Sequence, residues 1–239
     1  MLGHIPPHVR RVVPPLVLAL GALSSAAIAV QLLLAVPDYP LFAASFFGAA
    51  ALQSVGAWGL WERRFWARGF GLGAILFGGV GVGVWIGYSS VAISSSLLAV
   101  LLLVADDAPG RYERREAFLE QKKLDGAGAR RLFWVALGLG FGLPSLLGSG
   151  LSIHLLFHAP VPTVIAALLG VLGFWGLTRL ATWCYFAIAA AGISLLVAAW
   201  MSTLDGHVDA AWWSGLCALM LLSSTLPLSR PIWARLRGS

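Results

Sequence analysis

The sequence predicts an all-α polytopic bundle of about eight transmembrane helices, on three observations. Of 239 residues, 59% are hydrophobic and only 11% charged, with a mean hydropathy of +0.86. A soluble domain carries about 25% charged residues, so lipid rather than water is the expected solvent. The apolar residues fall into runs near the ~20 residues that a bilayer crossing needs. The Lys and Arg residues cluster in short segments between those runs. The net charge of +6 therefore belongs to membrane anchors and does not point to nucleic acid.

In chain order, the spans are expected at 13–36, 41–61, 67–88, 89–105, 132–157, 161–177, 182–203 and 210–228. The first follows Arg10 and Arg11, and its Ser24-Ser25-Ala26-Ala27-Ile28-Ala29 resembles a signal-peptidase site. The apolar run continues through Val36, and the internal fifth span opens on a similar Arg130-Arg131 pair. The first helix is therefore expected to be retained. The third and fourth spans are separated only by Tyr88-Ser89-Ser90, which makes theirs the least marked boundary.

With the N-terminus inside, all 16 Lys and Arg residues fall on the cytoplasmic side. Arg63, Arg64 and Arg68 follow the second span, and Arg179 follows the sixth. The outer connections carry only Asp38, Asp205 and Asp209. This sorting predicts both termini inside. Tryptophans mark the same boundaries: Trp58, Trp61, Trp66, Trp134, Trp175, Trp183 and Trp233 inside, Trp85, Trp200, Trp212 and Trp213 outside.

Trp58-Gly59-Leu60 with Trp66 recurs 117 residues later as Trp175-Gly176-Leu177 with Trp183. Gln31 before Pro37 has a counterpart in His154 before Pro160, 123 residues on. These matches predict a parallel 4+4 internal repeat: a first unit at 1–105, a charged linker at 106–131, and a second unit with a basic tail at 132–239. An even number of spans per unit gives a pseudo-twofold axis along the membrane normal. In the linker, Tyr112–Leu124 is rich in helix formers and Gly126-Ala127-Gly128 is expected to end that helix. The linker is a solvated connector or a docking site for a cytoplasmic or membrane partner.

No Asp, Glu, Lys or Arg lies well inside a span. A mid-bilayer charge costs about 2.5–3.5 kcal/mol and persists mainly where it is used. Its absence argues against a proton-coupled pump or a voltage sensor. Gln31 and His154 are candidates for ligand contact or helix pairing, with Pro144, Ser145 and Ser149 at an expected kink of the fifth span. His154 and His158, spaced i, i+4, are weak candidates for metal or haem, without a further transmembrane histidine to complete a set. Gly79, Gly83 and Gly87, Gly138 and Gly142, and Ala166 with Gly170 mark close helix packing. Arg63, Arg64, Arg68 and Arg179 are expected to bind lipid headgroups or to fix topology. Cys184 and Cys217 are expected at different depths, as free thiols.

No nucleophile–base pair, carboxylate dyad or metal cluster supports catalysis, so no cofactor is expected. The leading expectation is a non-catalytic scaffold, assembly or regulatory subunit of a membrane complex. The alternatives are a carrier for a small neutral or lipid-like solute, with its path between the repeats, and a haem or metal protein using His154. The composition suggests the bacterial cytoplasmic (inner) membrane.

Overall fold

A computed structural model of the chain describes residues 6–38, 40–76, 90–105, 126–147 and 160–237. Among these residues the fold is all-helical, without strands. It comprises eight helices: α1 (Pro7–Ala35), α2 (Pro40–Glu62), α3 (Ala67–Leu76), α4 (Ser90–Ala105), α5 (Gly126–Ser145), α6 (Pro160–Thr178), α7 (Cys184–Leu204) and α8 (Val208–Arg237). Four segments are long and apolar enough to cross a membrane: Arg11–Ala35, Val161–Thr178, Cys184–Leu204 and Val208–Pro227. The 21 residues of α7 reach about 30 Å at ~1.5 Å per residue, the thickness of a hydrocarbon core.

These helices turn much of their apolar surface outward. Leu20, Leu34, Leu168, Trp200, Leu204 and Leu219 are exposed. Water would oppose such exposure at about 25 cal/mol per Å², whereas lipid tails would not. Together with the span lengths, this supports an integral membrane protein.

Most described boundaries fall close to those expected, with three departures. α5 begins at Gly126, so Gly126-Ala127-Gly128 starts a helix where an end was expected, and Arg130 and Arg131 lie inside it. Pro144 lies one residue before the end of α5 rather than mid-helix, and a π-turn follows at Leu146–Leu147. α8 continues through the basic tail to Arg237. The expected linker helix at 112–124, the second half of the third span, Gly79, Gly83 and Gly87 lie outside the described residues.

α5 is the hub of the bundle, with α3, α8, α6 and α2 packed around it. Glycines set the close approaches. A β-carbon on Gly73 of α3 would meet backbone atoms of Leu137, Gly140 and Phe141, and one on Gly140 would meet the backbone of Phe70. On another face of α5, Gly138 meets Ser224 and Gly142 meets Leu221, both on α8. Gly170 of α6 receives Leu143. The expected packing roles of Gly138, Gly142 and Gly170 therefore have named partners.

The contacts also fix the helix directions. Gly69 meets Phe133 and Gly73 meets Leu137, so residue numbers rise together and α3 runs parallel to α5. Gly21 meets Gln53 and Gly56 meets Leu18, so α1 and α2 are antiparallel. The same pairing level sets Arg11 beside the C-terminal end of α2. α8 is antiparallel to α5, since Gly138 meets Ser224 while Ser145 meets Trp213. As a result, the arginines of the described helices gather at one end of the bundle, and Asp38, Asp205 and Asp209 lie at the other.

Candidate functional site

The cationic end is built on two helical corners, α2 to α3 and α6 to α7. At the first, Arg64 N–H donates to the Gly59 carbonyl at 2.9 Å and Arg63 N–H to the Leu60 carbonyl at 3.2 Å. At the second, Ala181 N–H donates to the Gly176 carbonyl at 2.9 Å and Leu180 N–H to the Leu177 carbonyl at 2.9 Å. Each is a 6→1 and 5→2 pair, the Schellman helix ending. Its left-handed residue is Arg63 (φ 55°) in one corner and Leu180 (φ 53°) in the other, where glycine is usual. All four bonds correspond at the spacing of 117 residues seen in the tryptophans.

In both corners a tryptophan ring lies on the glycine of the Trp-Gly-Leu triplet. A β-carbon on Gly59 would come 2.5 Å from Trp66, and one on Gly176 would come 2.8 Å from Trp183. The surroundings differ. Trp66 was expected to reach the lipid interface, but only 4% of it is exposed. It meets Phe70 and Phe174 edge-on, with centroids 5.8 and 5.1 Å away. Phe70 and Phe174 stack at 4.3 Å, which ties the first corner to α6. Trp183 is exposed and lies 5.9 Å from Trp175.

The arginines lie on aromatic faces. The Arg64 guanidinium lies 5.1 Å from the Trp58 ring centre, and that of Arg179 lies 4.1 Å from Trp175. Arg68 is placed differently from a simple surface anchor. Its Nε donates to the Leu103 carbonyl at 3.2 Å, and its guanidinium sits 5.6 Å from the Phe133 ring centre. It satisfies one of the last carbonyls of α4, where a cation also suits the helix dipole, while touching α5.

Two polar spots lie within the helices. Ser25 Oγ donates to Gln53 Oε1 at 3.1 Å between α1 and α2, and both side chains are buried. Gly21 leaves room for the amide. The other spot is Ser145. It is fully buried, and its hydroxyl has no hydrogen-bond partner among the described residues. Its carbonyl accepts from Trp213 Nε1 of α8 at 3.3 Å.

No protein-family model, curated protein or solved structure matches the chain.

The expected site residues are therefore only partly brought together. Gln31 is on the exposed side of α1, near its C-terminal end, so its amide does not enter the core. His154, His158 and Ser149 lie outside the described residues. Pro144 and Ser145 are buried side by side on α5. Gln53 was not anticipated. The spacing of Ala49, Gln53, Gly56 and Leu60 on one helical stripe was the signal for it, and all four are buried. Among the described residues, no group of three or more His, Cys, Asp or Glu could hold a metal ion. Cys184 and Cys217 are free and buried.

Proposed function

We propose that this protein is a non-catalytic structural or regulatory subunit of a membrane complex. In this reading it has eight spans, with both termini in the cytoplasm of a bacterial cell and the linker at 106–131 available to a partner. The chain is a parallel 4+4 duplication whose repeats have diverged. The matching corners support duplication. The packing of α3 on α5 has no counterpart of similar extent between α1 and α7, which supports divergence.

The observation that carries the structural role is the seam between the halves. Where Gly73 meets Gly140 and Phe141, α3 and α5 touch backbone to backbone. That stretch leaves no width for a solute, and such packing suits a rigid framework better than a moving pathway. The test has two parts. Liposomes containing the purified protein should release glycerol and urea no faster than protein-free liposomes. Affinity isolation from native membranes should yield a stoichiometric partner that is lost when residues 106–125 are replaced by a Gly/Ser chain of equal length. A protein-dependent solute flux, or a chain isolated alone under mild conditions, would overturn the reading.

The buried Ser145 hydroxyl beside Pro144 favours a second reading, a carrier for a small neutral or lipid-like solute. The flux measurement separates the two.

A further inference from the structure

The two corners present the same recognition chemistry toward the cationic end. In each, a guanidinium lies over the exposed tryptophan of a Trp-Gly-Leu triplet: Arg64 at 5.1 Å from the Trp58 ring centre and Arg179 at 4.1 Å from that of Trp175. The two tryptophans are exposed to nearly the same degree, 51% and 48%. A guanidinium over a ring keeps in-plane N–H donors for other partners; the Nε of Arg64 is itself buried, which leaves its terminal nitrogens for that role. A planar fork held in this way matches two oxygens of a phosphate. The indole supplies a further N–H at headgroup depth and an apolar body below it.

The described residues at this end are mostly cationic, which suits an anionic occupant. Arg63, Arg64, Arg68, Arg131 and Arg179 lie at this end, and Glu62 is the one acid there among the described residues. The second corner has no carboxylate near Arg179 among them. Trp175 and Trp183, with rings 5.9 Å apart, form an exposed apolar wall beside the cation. A free anion would use the cation without the wall. An amphiphile carrying a phosphate above a hydrocarbon body uses both.

We propose that each corner is a binding site for an anionic phospholipid, its headgroup phosphate on the stacked arginine and its glycerol and upper acyl chain against the tryptophans. This rests on the membrane placement of the chain and is independent of whether the protein serves as a scaffold or a carrier. The second corner, with no opposing acid, is the stronger site.

The experiment is thermal unfolding of the purified full chain in neutral detergent, with added phosphatidylglycerol, phosphatidylcholine or inorganic phosphate. Phosphatidylglycerol at about ten times its dissociation constant should raise the midpoint by about 3 °C. The other two additions should leave the midpoint within error. Arg179→Lys keeps the positive charge that topology requires but loses the planar fork, and it should remove more than half of the shift. Arg64→Lys should remove less. Native mass spectrometry should show two retained anionic lipids on the wild type, which tests the proposal even if a variant fails to fold. Equal stabilisation by phosphatidylcholine, reproduction of the shift by phosphate alone, or an undiminished shift in Arg179→Lys would each overturn it. None of these results would bear on the flux test of the structural role.

Discussion

The six-membered ring of Trp66 rests on Gly59, where a β-carbon would come within 2.5 Å of the ring. The glycine is a seat, and the buried tryptophan fills it. Gly176 seats Trp183 in the same way, but Trp183 is 41% exposed and has room to swing outward. Gly59→Ala should therefore destabilise the protein by about 1–3 kcal/mol, the usual range for overpacking. Gly176→Ala should cost less than half as much. Unfolding midpoints of the two variants in detergent check this, and equal losses would count against the difference in burial.

Arg63 and Leu180 hold the left-handed position of their helix endings with side chains that disfavour it. The strain is of order 1–2 kcal/mol per residue. Arg63→Gly should relieve it and raise stability by up to about 1 kcal/mol, after the entropy that glycine adds to the unfolded chain. Leu180 packs against the hydrophobic core. Leu180 is only partly buried, so Leu180→Gly should lose part of the roughly 1.5–3 kcal/mol that full burial of a leucine is worth, which offsets the backbone relief. A clear gain for Arg63→Gly and a smaller gain or a loss for Leu180→Gly in the same stability assay is the expected result.

Gly73 and Gly215 both lie within helices. A β-carbon on Gly73 would meet the backbone of α5, whereas one on Gly215 would have nothing within 4 Å. Backbone cannot rotate away as a side chain can. Gly73→Ala should cost about 3 kcal/mol or more in the same unfolding assay. Gly215→Ala should add up to about 1 kcal/mol from helix propensity alone.

Ser145 carries a buried hydroxyl with no partner among the described residues. Leaving such a group unsatisfied costs about 1–3 kcal/mol, so Ser145→Ala should be neutral or stabilising. Clear destabilisation would mean that the hydroxyl holds something, such as a water or a solute. That result would favour the carrier reading.

Much of this architecture was legible because hydrocarbon thickness imposes it. The run from Pro160 to Thr178 and the run from Cys184 to Leu204 are bounded by polar or cationic turns, and the helices end where the sequence changes character. Hydropathy reports depth but not azimuth. It therefore singled out Gln31, which proved exposed, and passed over Gln53, which sits near the middle of α2 and faces α1. Nor does it report which helices are neighbours, and so α5 could not be read as the hub. The polar end of α8 was invisible for a related reason: a helix that continues beyond the hydrophobic run leaves no apolar trace. The corners were the most legible feature, because the Trp-Gly-Leu spacing encodes both the close contact and the boundary.

The cytoplasmic setting of the corners and the linker depends on which face of the membrane each end of the bundle occupies. Single cysteines placed by Asp205→Cys, in the exposed turn between α7 and α8, and by Arg179→Cys, at the second corner, report the two ends. The native Cys184 and Cys217 are buried and give a low background. In intact cells a membrane-impermeant maleimide should label the Asp205→Cys protein and leave the Arg179→Cys protein unlabelled until the membrane is opened. Labelling of the Arg179 position in intact cells, with the Asp205 position protected, would contradict the orientation, and with it the cytoplasmic setting of the corners and the linker.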